Sequence, residues 1–388
     1  MSPRAAAAAL TIVICGCGGG DPAPRPTATP GTPAERAEPT AAELIAALLE
    51  ERAAALEAGN PRAYAATATA AQGRRDLVHA RRAARLELRT VQLSASSVDT
   101  RANRATARVL TSYSFRGVRG EFQVRRRISL RKRREWRITN VRYARGAPPW
   151  EVGDFVARRT RHFLVLAPGD LDVGDLPAAL EDGYATMRDL LVRPRLQRRY
   201  LVLVTADAAQ ARALTTEIQG VETLTAISDA TVVQGGPEAS VERVLSLRLL
   251  VVWQAYAALA PAERAKVVTH ELTHAVLAGA TSGRTPSWLG EGIALYVSSD
   301  RRPAPPEADL VALSKPDTIA RLAGTSQASA YATSSAAAFA IADRFGRRKL
   351  LKLYDVFNEP SLRGRPGPRL TNRAVRRVLG ISLAEVLG

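Results

Sequence analysis

Hydrophobic positions in the first 150 residues follow two different periods. From 41 to 58 they recur three, four or seven residues apart, which predicts an amphipathic helix ending at Gly59-Asn60-Pro61. A second helical stretch is predicted from 61 to about 71. Beyond position 86 the spacing shortens to two, which is typical of strands. Four strands are predicted, at positions 91–98, 105–115, 121–130 and 136–143.

The third predicted strand has a charged residue on its apolar face. Four of its residues alternate with polar ones and so share one side: Phe122, Val124, Ile128 and Leu130. Arg126 lies on that same side. A charged group on a buried face needs a partner, and the local pattern does not supply one.

The second half of the chain mixes predicted strands and helices. Strands are predicted at 162–166, 200–204 and 244–253, and helices at 175–192, 206–218 and 262–280. The proline-containing segment 146–150 is interpreted as a linker, with a new unit starting near Phe155. Because 388 residues can form two domains, each with its own core, an α+β protein of two units is predicted.

The N-terminus has the features of an export signal. Arg4 precedes a short apolar stretch, 5–14, which is too short to span a bilayer. The tetrapeptide Ile14-Cys15-Gly16-Cys17 resembles the lipobox of bacterial lipoprotein precursors. The resemblance implies a signal peptide at 1–16, lipidation of Cys17 and anchoring at the outer face of a membrane. The alternative is an ordinary secretory signal. Residues 17–40, rich in Pro, Gly, Ala and Thr, are predicted to be a flexible tether.

The formal charge of +18 is concentrated in one region. Between positions 74 and 145 there are 21 basic residues and 5 acidic ones. Fifty of the 55 basic residues are Arg, which a GC-rich genome would produce without selection for an anionic partner. A generic basic surface is therefore the first interpretation, and a specific anion-binding role is the second. An exported protein would meet lipid headgroups or anionic wall polymers, so no nucleic-acid partner is expected.

Two of the four histidines lie four residues apart in a predicted helix. In His270-Glu271-Leu272-Thr273-His274 both imidazoles fall on one helical face and can bind one cation, while Glu271 can approach a water molecule on it. A catalytic zinc site normally has three protein ligands, so one more is required. Metzincins supply a third histidine three residues after a glycine, but this chain has Leu277 and Ala280 at those places.

The third ligand is expected from the next helix. Glu291 lies in the first turns of a predicted helix that begins at Ser287. Residues 283–286, which start with glycine and end with proline, separate it from the preceding predicted helix. An antiparallel helix after a short loop can direct this carboxylate back at the histidine pair. The predicted set is two histidines, one glutamate and an open position.

The string VVTHELTHAVL, followed after 16 residues by WLGEGIALYV, resembles the peptidase MA-like domains of the gluzincin clan. The similarity covers about 162 to the C-terminus. It implies that His270, His274 and Glu291 bind zinc and that Glu271 is the general base. It also implies that the strand at 244–253 lines the substrate cleft.

The resemblance also bears on two further residues, Tyr331 and Leu295. Tyr331 begins a segment similar to the family's next helix, and either faces the site as an oxyanion donor or packs in the core with Phe339. Leu295 is a departure, since thermolysin-like enzymes have an aspartate there that orients a histidine ligand. The outer shell of the metal must therefore come from elsewhere.

The N-terminal unit carries a separate, weaker resemblance. Helices followed by an antiparallel sheet that closes on Trp136, Ile138 and Val141 are similar to a small NTF2-like or cystatin-like domain. The predicted architecture is an NTF2-like domain at 41–146 and a zincin-type, thermolysin-like domain at 150–388, with a mixed sheet and a helical C-terminal part.

The predicted function is zinc-dependent hydrolysis of a protein or peptide substrate outside a bacterial membrane. The alternative is a non-catalytic, lipid-anchored envelope-binding protein that uses an inactive peptidase scaffold. The sequence leaves open the substrate, endo- or exopeptidase action, the role of the basic domain and the oligomeric state.

Overall fold

The computed structural model describes residues 38–191, 196–215, 225–234 and 239–388. The chain is a mixed α+β protein with two sheets and many helices, as the sequence predicts. The predicted signal peptide, Cys17 and most of the predicted tether lie outside the described residues. Within those residues, no helix is both long enough and apolar enough to cross a membrane.

The first sheet is a four-stranded antiparallel meander preceded by three helices. Its strands follow chain order, β1-β2-β3-β4. The elements are α1 (Ala41–Glu57), α2 (Pro61–Ala66), α3 (Ala70–Ala83), β1 (Leu88–Arg101), β2 (Arg104–Phe115), β3 (Phe122–Lys132) and β4 (Trp136–Arg145). The helical stretch predicted at 61–71 is wrong in extent, because two helices are separated there by residues 67–69. The backbone of residues 67–69 forms hydrogen bonds with β4 instead: Thr69 N–H donates to the Ile138 carbonyl at 2.9 Å.

Arg126 has a partner that its own strand could not reveal. It is buried on the inner face of the first sheet, and its guanidinium lies 3.5 Å from the Glu151 carboxylate. Glu151 belongs to the short helix α4 (Pro149–Val152), in the segment interpreted as a linker. That interpretation is wrong for Trp150, which is buried with its ring 4.9 Å from that of Tyr113.

The second sheet has five strands in the order β5-β6-β7-β9-β8. Strands β6, β7 and β9 are parallel, and the edge strands β5 and β8 are antiparallel to their neighbours. The strands are β5 (Phe155–Arg159), β6 (Phe163–Pro168), β7 (Tyr200–Thr205), β8 (Ala226–Gln234) and β9 (Val241–Val252). The sequence patterns predicted β6, β7 and β9 but neither antiparallel edge strand.

The helices of the second half lie on both faces of this sheet, most of them in the core away from the first sheet. They are α5 (Leu176–Leu190), α6 (Ala208–Leu214), α7 (Trp253–Ala257), α8 (Pro261–Leu277), α9 (Ser287–Val297), α10 (Gly324–Phe345), α11 (Arg347–Asp355) and α12 (Pro368–Leu379). Helix α6 ends four residues before the predicted boundary at 218. Since β6 is buried on both faces, Val165 joins the helical core while Leu164 and Leu166 share a core with the first sheet. The two halves are therefore in direct contact.

Candidate metal centre

Helix α8 presents the two histidines because it is held tightly against α5. Gly183 of α5 makes this contact possible, since a Cβ there would lie 2.9 Å from the Thr269 hydroxyl. The hydroxyls of Thr269 and Thr273 donate to carbonyls one turn earlier, at 2.9 and 2.8 Å, and so need no other partner inside the core. Because one face of α8 is buried in this way, the direction of its opposite face, which carries His270 and His274, is fixed.

Helix α9 brings Glu291 to that face. Its Trp288 and Leu289 are fully buried. Gly292 allows α9 to touch α10, because a Cβ there would lie only 2.6 Å from the Ser334 carbonyl oxygen. The glycine next to Glu291 thus sets how closely α9 approaches its neighbour. A substitution there would move the carboxylate away from the histidines.

Three ligand-type atoms form a compact triangle. The Nε2 atoms of His270 and His274 are 3.0 Å apart, and Oε2 of Glu291 lies 3.2 Å from each. Donor atoms held by zinc at about 2.1 Å in tetrahedral geometry are roughly 3.4 Å from one another. The triangle therefore has the chemistry and nearly the spacing of a three-ligand zinc site.

The electrostatics of the triangle favour opposite charges on its members. Burial disfavours the imidazolium of His274, but the charge and hydrogen bond of Glu291 outweigh it and raise the pKa of His274 to about 9. Burial likewise opposes ionisation of Glu291, yet His274 and the hydrogen bonds from both imidazoles hold its pKa well below the usual range. In the absence of a cation, a proton on His274 compensates the carboxylate.

Glu271 is held by the edge strand β8. Its Oε2 accepts a hydrogen bond from the Ser228 backbone N–H at 2.7 Å, and the Ser228 hydroxyl donates to the Glu271 carbonyl at 2.5 Å. The prediction that 244–253 lines the cleft is wrong, because β9 is paired on both sides, with β7 and β8. The strand beside the site is β8. Ser228 escaped prediction because its strand is only half-buried, although Thr231, Val232 and Val233 form a β-branched run.

A cleft of about 360 Å³ opens next to the triangle. Besides His270 and Glu271, its walls include Lys266, Leu295, Arg302 and Tyr331. The ring centroid of Tyr331 lies 6.3 Å from that of His270. Phe339, the alternative core partner of Tyr331, instead packs on Tyr296 at 5.1 Å.

Tyr331 keeps its proton in this environment. Burial, followed by the charges of Glu291 and Glu271, raises the pKa of its phenol. Among the described residues, the hydroxyl has no hydrogen-bond partner and is not sealed from solvent. A protonated hydroxyl beside the histidines is available to donate a hydrogen bond into the cleft.

Because residue 295 is a leucine, this position supplies no carboxylate to the Nδ1 side of the two histidines. Its side chain is buried at the wall of the cleft. Across the described ranges, no hydrogen bond reaches Nδ1 of His270 or His274. Packing in α8 and the contact with Glu291 orient the two imidazoles. The other two histidines lie elsewhere and have carboxylate neighbours: His162 is 2.6 Å from Glu181, and His79 is 3.7 Å from Glu151.

No match was found when the chain was compared with protein-family models, with curated proteins and with solved structures.

Proposed function

We propose that this protein is a zinc-dependent peptidase whose metal ligands are His270, His274 and Glu291. The observation that carries the proposal is the triangle of two imidazole nitrogens and one carboxylate oxygen, 3.0 to 3.2 Å apart, beside a cleft that His270 lines. Two histidines and one glutamate are a ligand set of catalytic rather than structural zinc, which leaves a position open for water or substrate. Bound zinc would supply Lewis acidity to a water molecule and to the scissile carbonyl.

Glu271 is the proposed general base. It neighbours the triangle but is not part of it, and Ser228 holds one of its carboxylate oxygens. The other oxygen is available to take a proton from water and pass it to the leaving amine. The hydrogen bond from β8 restrains the orientation of the carboxylate.

The open edge of β8 is the proposed binding edge for substrate. Ser228 donates its N–H away from β9, so by the alternation of an antiparallel ladder Ala230 also presents its backbone groups on that side. In the part of the chain that the structure describes, no strand pairs with this edge. An extended peptide added there would pass beside Glu271, held by main-chain hydrogen bonds.

The finer architecture and location form part of the same proposal. The order of three helices, a meander and a second sheet followed by helices supports an NTF2-like domain at 41–146 and a zincin-type domain at 150–388. Lipidation at Cys17 would place both at the outer face of a bacterial membrane. Incorporation of a labelled fatty acid into the wild-type chain but not into Cys17→Ser tests the anchor.

Removal of one ligand tests the metal site directly. We expect the purified wild-type protein to hold close to one zinc per chain and His274→Ala to hold far less, because two ligands bind zinc weakly. Elemental analysis after dialysis measures this. His162→Ala is the matched control, since His162 pairs with Glu181 and is not part of the triangle. Stoichiometric zinc in His274→Ala would reject the ligand set.

The reaction is tested with a mixed peptide library and mass spectrometry. Wild type should cleave peptides, lose activity with a zinc chelator and regain it with added zinc. If zinc is bound stoichiometrically but no peptide is cleaved, the catalytic proposal fails and the non-catalytic envelope-binding alternative gains support.

Tyr331→Phe tests the proposed oxyanion donor. Loss of one donor to a developing oxyanion costs about 100- to 1,000-fold in kcat, and we expect a loss in that range with little change in KM. Tyr296→Phe is the control, because that ring packs on Phe339. If the two variants have equal kcat, the hydroxyl of Tyr331 does not act in the reaction.

A further inference from the structure

The outer face of the first sheet carries a two-dimensional array of arginines. Eight side chains point away from the helices and form what is here named the arginine face: Arg101, Arg104, Arg108, Arg125, Arg127, Arg131, Arg137 and Arg142. All are exposed except Arg137, which is partly exposed. The inner face of the same strands is largely apolar apart from Arg126, and it packs in the core with α1 to α3. Eight of the 21 basic residues between positions 74 and 145 therefore lie together on one side of the sheet.

Strand pairing places these arginines directly opposite one another. In one row Arg104 is paired with Arg101 on β1 and with Arg131 on β3, and Arg131 is paired with Arg137 on β4. In a second row Arg127 is paired with both Arg108 and Arg142. Neighbouring strands lie about 4.8 Å apart, and the rows, four residues apart along β2, are separated by roughly 13 Å.

Two carboxylates lie beside the eight arginines and neutralise the array only in part: Asp99 shares the outer face and lines a depression there, and Glu135 follows in the turn between β3 and β4. Glu135 pairs with Arg137 at 2.5 Å, but within the described ranges the other seven arginines have no ion-pair partner. Like charges directly opposite each other destabilise a sheet. A GC-rich genome would account for the number of arginines, but it does not account for the alignment of eight of them on one face that carries two carboxylates, Asp99 and Glu135.

The shape of the face favours a planar anionic partner. A shallow depression of about 540 Å³ lies over the first row, and its lining includes Arg101, Arg104 and Arg131. The outward positions of β2 and β3 carry no aromatic side chain on which a base could stack. A broad sheet face with spaced guanidiniums instead matches a surface of phosphate headgroups.

We propose that the arginine face binds the surface of an anionic phospholipid membrane. Guanidinium forks bind phosphate oxygens bidentately, and each basic residue near an anionic surface contributes about 1 kcal/mol. Binding neutralises the repulsion between opposed arginines. The face would hold the first sheet against the membrane, so that the cleft of the second half keeps a fixed orientation to it. The proposal does not depend on the peptidase activity.

Vesicle co-sedimentation tests the proposal, using the full chain with Cys17→Ser so that lipidation does not contribute. Vesicles with 30% phosphatidylglycerol in phosphatidylcholine are compared with pure phosphatidylcholine. We expect binding only to the anionic vesicles and a strong decrease at high salt. The triple variant R104Q/R127Q/R131Q should bind roughly 100-fold more weakly.

The matched control removes the same charge elsewhere. R348Q/R365Q/R369Q changes three exposed arginines in the C-terminal part and should lower binding less than about 3-fold. Circular dichroism should show both variants folded, since all six side chains are exposed. If both triple variants lose the same binding affinity for anionic vesicles, net charge alone explains the effect and the proposal is overturned. Equal binding to neutral vesicles would also overturn it, as would face-dependent binding to duplex DNA in place of vesicles.

Discussion

Glu271→Gln is expected to lower kcat for peptide hydrolysis by roughly 100- to 10,000-fold while zinc content stays at the wild-type level. Glutamine has nearly the same shape and can still accept the Ser228 N–H through its amide oxygen, so the local structure should persist. It has no basic oxygen that could take a proton from water. Because Glu271 lies outside the ligand triangle, its loss removes the base and leaves the metal ligands in place.

The measurement combines steady-state kinetics with metal analysis of the same sample. Glu50→Gln is a control for the charge change, since Glu50 is an exposed residue of α1. Activity of Glu271→Gln within a few-fold of wild type would show that another group accepts the proton. Loss of zinc together with activity would show instead that Glu271 belongs to the metal shell.

The grouping of the metal ligands was predictable only where the geometry of a single helix determines it. His270 and His274 share a helical face because four residues are close to one turn, and no tertiary information is needed for that. The position of Glu291 also depends on how α9 packs against its neighbours. Its approach requires α9 to return along α8 and to pack on α10 at Gly292, where a Cβ would lie 2.6 Å from the Ser334 carbonyl oxygen. Only the distance of Glu291 along the chain and the resemblance of its segment suggested this.

Long-range pairing explains what the sequence patterns missed. Strand β8 is only half-buried, so its apolar alternation is weak, and it becomes a strand by pairing with β9. Ser228 was missed for that reason. The partner of Arg126, Glu151, lies 25 residues away in a segment whose prolines suggested a linker. Pairing also determines the rows of the arginine face, since a list of arginines does not show which ones lie side by side.

A second buried ion pair, between Arg52 and Asp76, lies among the helices that precede the first sheet. Both side chains are 1% exposed and 2.8 Å apart. Arg52 also donates to the Thr67 hydroxyl at 2.8 Å and lies over the ring of Tyr64, while Gln72 donates to Asp76. Every strong contact of Arg52 is thus made inside the core. Its charge has no route to solvent once the carboxylate is removed.

Asp76→Ala is therefore expected to lower the free energy of unfolding by about 3–5 kcal/mol, because it leaves the Arg52 guanidinium buried without a counter-charge. Urea titration followed by circular dichroism measures the change. Asp154→Ala is the matched control: Asp154 pairs with Arg85 at 2.9 Å, but both are more than half exposed, so its loss should cost about 0–1 kcal/mol. Replacing both partners, as Arg52→Met with Asp76→Leu, should recover much of the lost stability, since no charge is then left buried. If Asp76→Ala is as stable as Asp154→Ala, the Arg52 charge is reached by water and the pair does not hold the domain together.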